Sequence, residues 1–220
     1  MICARRVLVN PSDVAPVPRR NFSEVLEFQT GMEYFGARTS SFSWGVWSYL
    51  LRRSVVSLFH LSFEDINYVE DRLFLLNLLP VVKRVSVIDV DLYYYVQHES
   101  SISHSIRKKH GTDFIDAWLV FMDYLHSLRD DPSISRQVAV RLQEFGYDAS
   151  FSLFMNACRY CPIDVTKQSF ISLSAMGFYP IEASFYGRAR LYKNLINHKG
   201  LWLLLCRILH LLPMSLRVHM

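Results

Sequence analysis

The sequence predicts a mixed α/β fold over roughly its first 106 residues, followed by an all-helical C-terminal region. Three observations carry that expectation. The stretch from Lys83 to Val96 is rich in β-branched and aromatic residues and holds no Gly or Pro, which marks a strand. From Gly111 onward, apolar residues recur at helical spacing between regular breakers. Apolar residues make up 51% of the 220 residues and charged residues 20%, enough to build a packed core and too apolar for a disordered chain.

Element by element, residues 1–30 read as an irregular lead-in with Pro11, Pro16 and Pro18, then a helix over Asn21–Gln29 that stops at Thr30-Gly31. A polar loop follows through Ser40-Ser41. Trp44–Val56 reads as one helix, with Trp47, Leu50 and Leu51 on its apolar side. A short extended stretch surrounds Leu61–Phe63. The next helix spans Val69–Leu79: Glu70 and Asp71 suit its positive N-terminal end, and Pro80 closes it. On the strand over 83–96, alternation puts Ile88, Val90, Leu92 and Tyr94 on one face and turns Asp89 and Asp91 to the other, toward solvent. Residues 97–105 read as a polar loop. Helices are expected at about 112–129, 134–145, 150–160, 164–176, 188–198 and 201–211, with breaks at Asp131-Pro132, Gly146, Cys161-Pro162, Gly177, Pro180 and Gly200.

Charge and cysteine content narrow the function classes. The net charge of +4 is mild, and no basic run is interleaved with stacking aromatics, so nucleic acid is not an expected partner. Cys158-x-x-Cys161 has no second ligand pair at metal spacing, and it reads as reduced packing cysteines. No stretch reaches the roughly 18 apolar residues of a membrane span. With few cysteines and no signal peptide, a cytoplasmic location is expected. Residues 201–220, with Leu201-Trp202-Leu203-Leu204-Leu205 beside Arg207, His210, Arg217 and His219, read first as a packed tail helix and second as a peripheral membrane contact.

The order of motifs in the first half is the most specific signal. Gly31-Met32-Glu33-Tyr34-Phe35 precedes Val46-Trp47 and the run Leu50-Leu51-Arg52-Arg53-Ser54. Leu61-Ser62-Phe63-Glu64 comes next, then Glu70-Asp71 three residues before Phe74, the Tyr93-Tyr94-Tyr95 strand, and Ser101-Ile102-Ser103. Over residues 31–106 this resembles the acceptor-side, C-terminal part of bacterial family 2 glycosyltransferases of the GT-A fold, in the branch that builds surface polysaccharide. The resemblance implies a partial GT-A-like domain followed by a helical extension over 107–220. It also implies inverting transfer of a sugar from a nucleotide sugar to a hydroxyl of a glycan or lipid-linked acceptor, at the inner face of the membrane.

An acceptor hydroxyl is a poor nucleophile at neutral pH, and a positioned carboxylate must take its proton. The resemblance makes Asp71 that base, with Glu70 orienting it or the acceptor. Trp47, Arg53, His98, Ser101 and Ser103 become candidates for binding acceptor or diphosphate, although a polar loop reads by default as solvated surface. The resemblance also implies a divalent metal, Mn or Mg, held by an Asp-x-Asp motif in the family's N-terminal half. Asp89-Val90-Asp91 follows Glu70-Asp71 instead of preceding it and is not read as that motif; His98 is the one metal candidate. The nucleotide-binding half is expected before Gly31, where thirty residues are too few to hold it. The expectation is therefore a severed acceptor half, a chain that pairs with a separate donor-binding chain, or a degenerate relative kept as a non-catalytic acceptor-binding or interaction module.

Overall fold

The computed structural model describes residues 1–9, 20–38, 42–96 and 111–213. It is mixed α/β and divides into two compact units, Met1–His104 and Ser105–Met220.

The first unit is built on a mixed four-stranded sheet. Its strands are β1 (Ile2–Val9), β2 (Arg20–Phe28), β3 (Tyr49–Leu50) and β4 (Val85–Val96), in the order β2-β4-β1-β3. β4 runs parallel to β1, with Ile2 opposite Ser86 and Val9 opposite Val96, and antiparallel to β2, with Phe28 opposite Val85. The expected strand over 83–96 is thus the interior strand β4. Two other expectations fail here. Ile2–Val9 of the lead-in form strand β1, and the helix expected over Asn21–Gln29 is strand β2. Both flank β4 and satisfy its backbone N–H and C=O groups, a long-range demand that outweighs the weak helical preference of Glu24, Leu26 and Glu27.

Thr30-Gly31 does not stop a helix; it starts one. Helix α1 spans Gly31–Arg38 where a polar loop was expected. Thr30 Oγ1 accepts from the Glu33 N–H at 3.0 Å, and Glu33 Oε2 accepts from the Gln29 N–H at 2.8 Å. This is a capping box, in which two otherwise orphaned N–H groups find partners. Gly31 donates its N–H to Val82 O at 2.8 Å, and a Cβ there would overlap Leu79 O, so only glycine lets α1 start this close to the neighbouring turn. Thr30→Ala removes the cap and is expected to cost about 1 kcal/mol of stability, read by urea denaturation.

The single helix expected over Trp44–Val56 is divided into a 3₁₀ turn at Val46–Ser48, strand β3 and helix α2 (Arg53–Leu58). Tyr49 lies opposite Cys3 in the sheet, and its hydroxyl donates to Ser43 O at 2.6 Å, so sheet pairing interrupts the helical run. Helix α3 (Glu70–Leu78) matches its expected position. Its Leu73, Leu75 and Leu78 are buried with Tyr34, Phe35, Val69, Leu79 and Val85. Around them, Phe28, Tyr34, Phe42 and Tyr49 form an edge-on aromatic cluster, and the Tyr34 hydroxyl donates to Cys3 Sγ at 3.1 Å.

The second unit is helical: α4 (Gly111–Arg129), α5 (Arg136–Tyr160), α6 (Ile163–Ala175), α7 (Gly187–Asn197) and α8 (Lys199–His210). Ser135 caps α5 by accepting from the Val138 N–H at 3.4 Å. The expected break at Gly146 is absent, and α5 runs through it as one 25-residue helix. Gly146 is a notch in that helix, because a Cβ there would overlap the ring of the fully buried Phe178. Arg129 lies over that ring, 4.8 Å from its centre, and Gln143 donates to Gly177 O at 2.8 Å. All four cysteines are free and buried; burial, with Asp116 nearby, pushes the Cys161 thiol up to about 12, so it is a packing group and not a nucleophile. Among the described residues no helix is long and apolar enough to cross a membrane.

Candidate functional site

Glu70 and Asp71 form the first turn of α3, and two features of the backbone set them up. Tyr68, two residues earlier, has φ +78°, a conformation that a bulky side chain rarely adopts. Such a residue costs of order 1–3 kcal/mol and persists only where its surroundings impose it, which is common at functional sites. The second feature is the 3₁₀ turn at Val46–Ser48: the Val46 N–H donates to Asp71 Oδ2 at 3.3 Å. That bond ties the turn carrying Trp47 to the carboxylate pair.

Burial raises the Asp71 carboxyl above the usual carboxylate range. The Val46 hydrogen bond opposes that rise, the neighbouring negative charge of Glu70 adds to it, and Arg72 opposes it. Glu70 is half-buried, and its Oε2 is enclosed with no hydrogen-bond partner among the described residues. Arg72 lies over the Trp44 ring at 5.4 Å. Phe63, ahead of the acidic pair, stacks on Phe74 at 4.7 Å and braces α3 from outside.

Trp47 is half-buried and lies against two tyrosines of β4. Its ring stacks on Tyr93 at 4.9 Å with an interplanar angle of 24°, and lies 5.4 Å from Tyr95. Tyr93 keeps 39% of its surface exposed, so the three rings form an aromatic face with an open side. The sequence contained part of this: if Tyr94 shares a face with Val90, then Tyr93 and Tyr95 share the opposite one. It held no sign of the Tyr68 conformation or of the Val46 bond.

The remaining candidates divide. Arg53 opens α2 and is exposed, and no hydrogen bond or ion pair joins it to Glu70 or Asp71. His98, Ser101 and Ser103 lie outside the described residues, as do Arg107 and Lys108. Asp89 and Asp91 are half-buried and do not project freely into solvent as expected. No cluster of three or more His, Cys, Asp or Glu residues that could hold a metal ion is gathered among the described residues.

A shallow cavity of about 200 Å³ opens at the opposite end of α3, between Arg52, Leu78, Val82, Lys83 and Arg84. Leu78 is seven residues beyond Asp71, about 10 Å along the helix axis. The cavity is therefore distinct from the carboxylate pair. No family model, curated protein or solved structure matches the chain.

Proposed function

We propose that the first unit is the acceptor-side part of an inverting glycosyltransferase of family 2 type, a partial GT-A-like domain acting in surface polysaccharide or lipopolysaccharide synthesis. Its donor is a nucleotide sugar and its acceptor a hydroxyl of a glycan or lipid-linked sugar. On this reading the protein works in the cytoplasm at the inner face of the membrane, inactive alone and paired with a separate donor-binding chain. The observation that carries the reading is the Val46–Asp71 hydrogen bond, because it brings an aromatic face and a carboxylate pair to one place.

Each group has a role in that chemistry. Asp71 takes the proton of the attacking hydroxyl through Oδ1, leaving Oδ2 on the Val46 N–H. Its raised pKa makes it a stronger base than an ordinary carboxylate. Glu70, beside Asp71 in the first turn of α3, orients the base or the acceptor. The open side of the Trp47–Tyr93–Tyr95 face covers the apolar C–H face of a sugar ring.

A second reading has its own observation. Asp71 Oδ2 already serves as the latch for the Val46 turn, and a latch is a structural role. On that reading the unit is a non-catalytic acceptor-binding or interaction module.

Titration of the full chain with surface-polysaccharide oligosaccharides, followed by tryptophan emission, tests what the two readings share. Trp47→Ala is expected to weaken binding at least tenfold, about 1.4 kcal/mol. Equal binding by the variant removes the aromatic face from the site. Calorimetry with UDP, GDP and Mn²⁺ then separates the readings: binding of a nucleoside diphosphate favours the transferase, and glycan binding without it favours the module.

A further inference from the structure

Helix α8 has two apolar faces, and the second unit buries only one. Trp202, Cys206 and Leu209 point into its core. Leu201, Leu204 and Ile208 each keep more than half of their surface exposed, and Leu211, just past the end of the helix, keeps 84%. Their spacing of three, four and three residues places them on one narrow stripe about 15 Å long. Leu191 on α7 is exposed as well, and so is Tyr186, which precedes that helix.

The charges of the segment that carries this stripe have one sign. From Ala183 to Pro213 the chain holds Arg188, Arg190, Lys193, Lys199 and Arg207, and no Asp or Glu. Arg188, Arg190, Lys199 and Arg207 are exposed. Arg207 borders the stripe, and the carboxylate whose field it shares, Asp164 of α6, is already bonded to Lys167 at 2.7 Å. Lys199 lies over the Phe170 ring at 5.4 Å. The nearest acidic residue before the segment, Glu182, accepts from the Tyr147 hydroxyl at 3.2 Å.

We propose that α7 and α8 form a docking surface for an anionic lipid bilayer, with the leucine stripe entering the headgroup boundary and the five cations meeting lipid phosphates. Charge complementarity selects this occupant. A second copy of the chain would bring its own α7–α8 segment, equally without acidic residues, against this one, whereas an anionic bilayer offers both apolar depth and negative charge. The helix is too short to span a bilayer, so the contact is peripheral. The inference stands on the helical unit alone and holds whether or not the first unit is a transferase.

Sedimentation of the full chain with phosphatidylglycerol–phosphatidylcholine vesicles and with pure phosphatidylcholine vesicles tests it. At low salt, at least tenfold tighter binding to the anionic vesicles is expected, lost on raising the salt to about 0.5 M, where charges are screened within a few ångströms. Leu204→Glu with Ile208→Glu is expected to abolish sedimentation while leaving circular dichroism and Tm unchanged, since both side chains are exposed. Arg188→Gln with Arg190→Gln and Lys193→Gln is expected to remove the preference for anionic lipid and serves as the independent variant should the first pair disturb folding. Failure to sediment with anionic vesicles, equal binding to both vesicle types, or a concentration-dependent dimer dissolved by Leu204→Glu with Ile208→Glu in the absence of vesicle binding would each overturn the proposal, the last by assigning the face to a second copy.

Discussion

Gly146→Ala should destabilise the helical unit by about 2 kcal/mol, although alanine is the better helix former. Intrinsic propensity favours alanine by about 1 kcal/mol inside a helix. Against that stands the new methyl group, which would overlap the Phe178 ring carbons Cδ1 and Cε1. The ring cannot retreat freely. It is fully buried, Arg129 lies over it at 4.8 Å, and the adjoining Gly177 carbonyl is held by Gln143 at 2.8 Å. Forcing a methyl into such a site costs typically 1–3 kcal/mol and occasionally more, and here it also strains the Arg129 and Gln143 contacts. For a unit of this size the loss lowers Tm by roughly 10 °C.

A double-mutant cycle identifies the cause. Phe178→Leu alone is destabilising, because it shrinks a filled site. Combined with Gly146→Ala it makes room for the methyl, so the two losses should fall short of their sum by about 1 kcal/mol or more. Strict additivity, or a single Gly146→Ala variant as stable as the parent, would mean that α5 and the Phe178 turn do not approach as closely as the structure has them.

Gly146 also shows where the sequence could be read and where it could not. A lone glycine in a helical pattern looks the same whether it ends the helix or admits a neighbour, and only Phe178, 32 residues away, decides between the two. Thr30-Gly31 is a similar case: Thr–Gly after a helical run reads as a stop, while Thr30 with Glu33 is a start signal, and the decision falls to β2 on one side and Val82 on the other. β4 and α3 were legible because their signals are local, a run of β-branched residues in one and an acidic first turn with a closing proline in the other. β1 and β2 were not, since what makes them strands is the unsatisfied backbone of β4, between 57 and 87 positions further along the chain. In the candidate site, Glu70, Asp71 and Trp47 could be picked out by residue type and order. The bond from Val46 and the positive φ of Tyr68 are properties of the folded backbone and leave no trace in composition or spacing.

Asp71→Asn should lower sugar transfer by about 10²–10⁴-fold while leaving the first unit as stable as before, or slightly more stable. The sign of the stability effect follows from the direction of the pKa shift. Asp71 titrates higher in the folded chain than in the unfolded one, with burial as the leading cause. Its contribution to stability is therefore fully present below the unfolded carboxylate pKa, and is lost as pH rises through the folded value. Burial disfavours the charged carboxylate, and a neutral amide carries no charge to desolvate. Asparagine also keeps the latch, because its Oδ1 can accept from the Val46 N–H as Asp71 Oδ2 does. Asp71→Ala loses base and latch together and should be both inactive and less stable. The acid limb of the parent's transfer–pH profile should lie above the ordinary carboxylate range, and that limb should disappear from any residual activity of Asp71→Asn. If Asp71→Asn transfers sugar at the parental rate, Asp71 is a latch alone, and the non-catalytic module is the better reading of the unit. If it is inactive and also markedly destabilised, the lost activity follows from a broken turn, and the base must be sought elsewhere, with Glu70 the first carboxylate to replace.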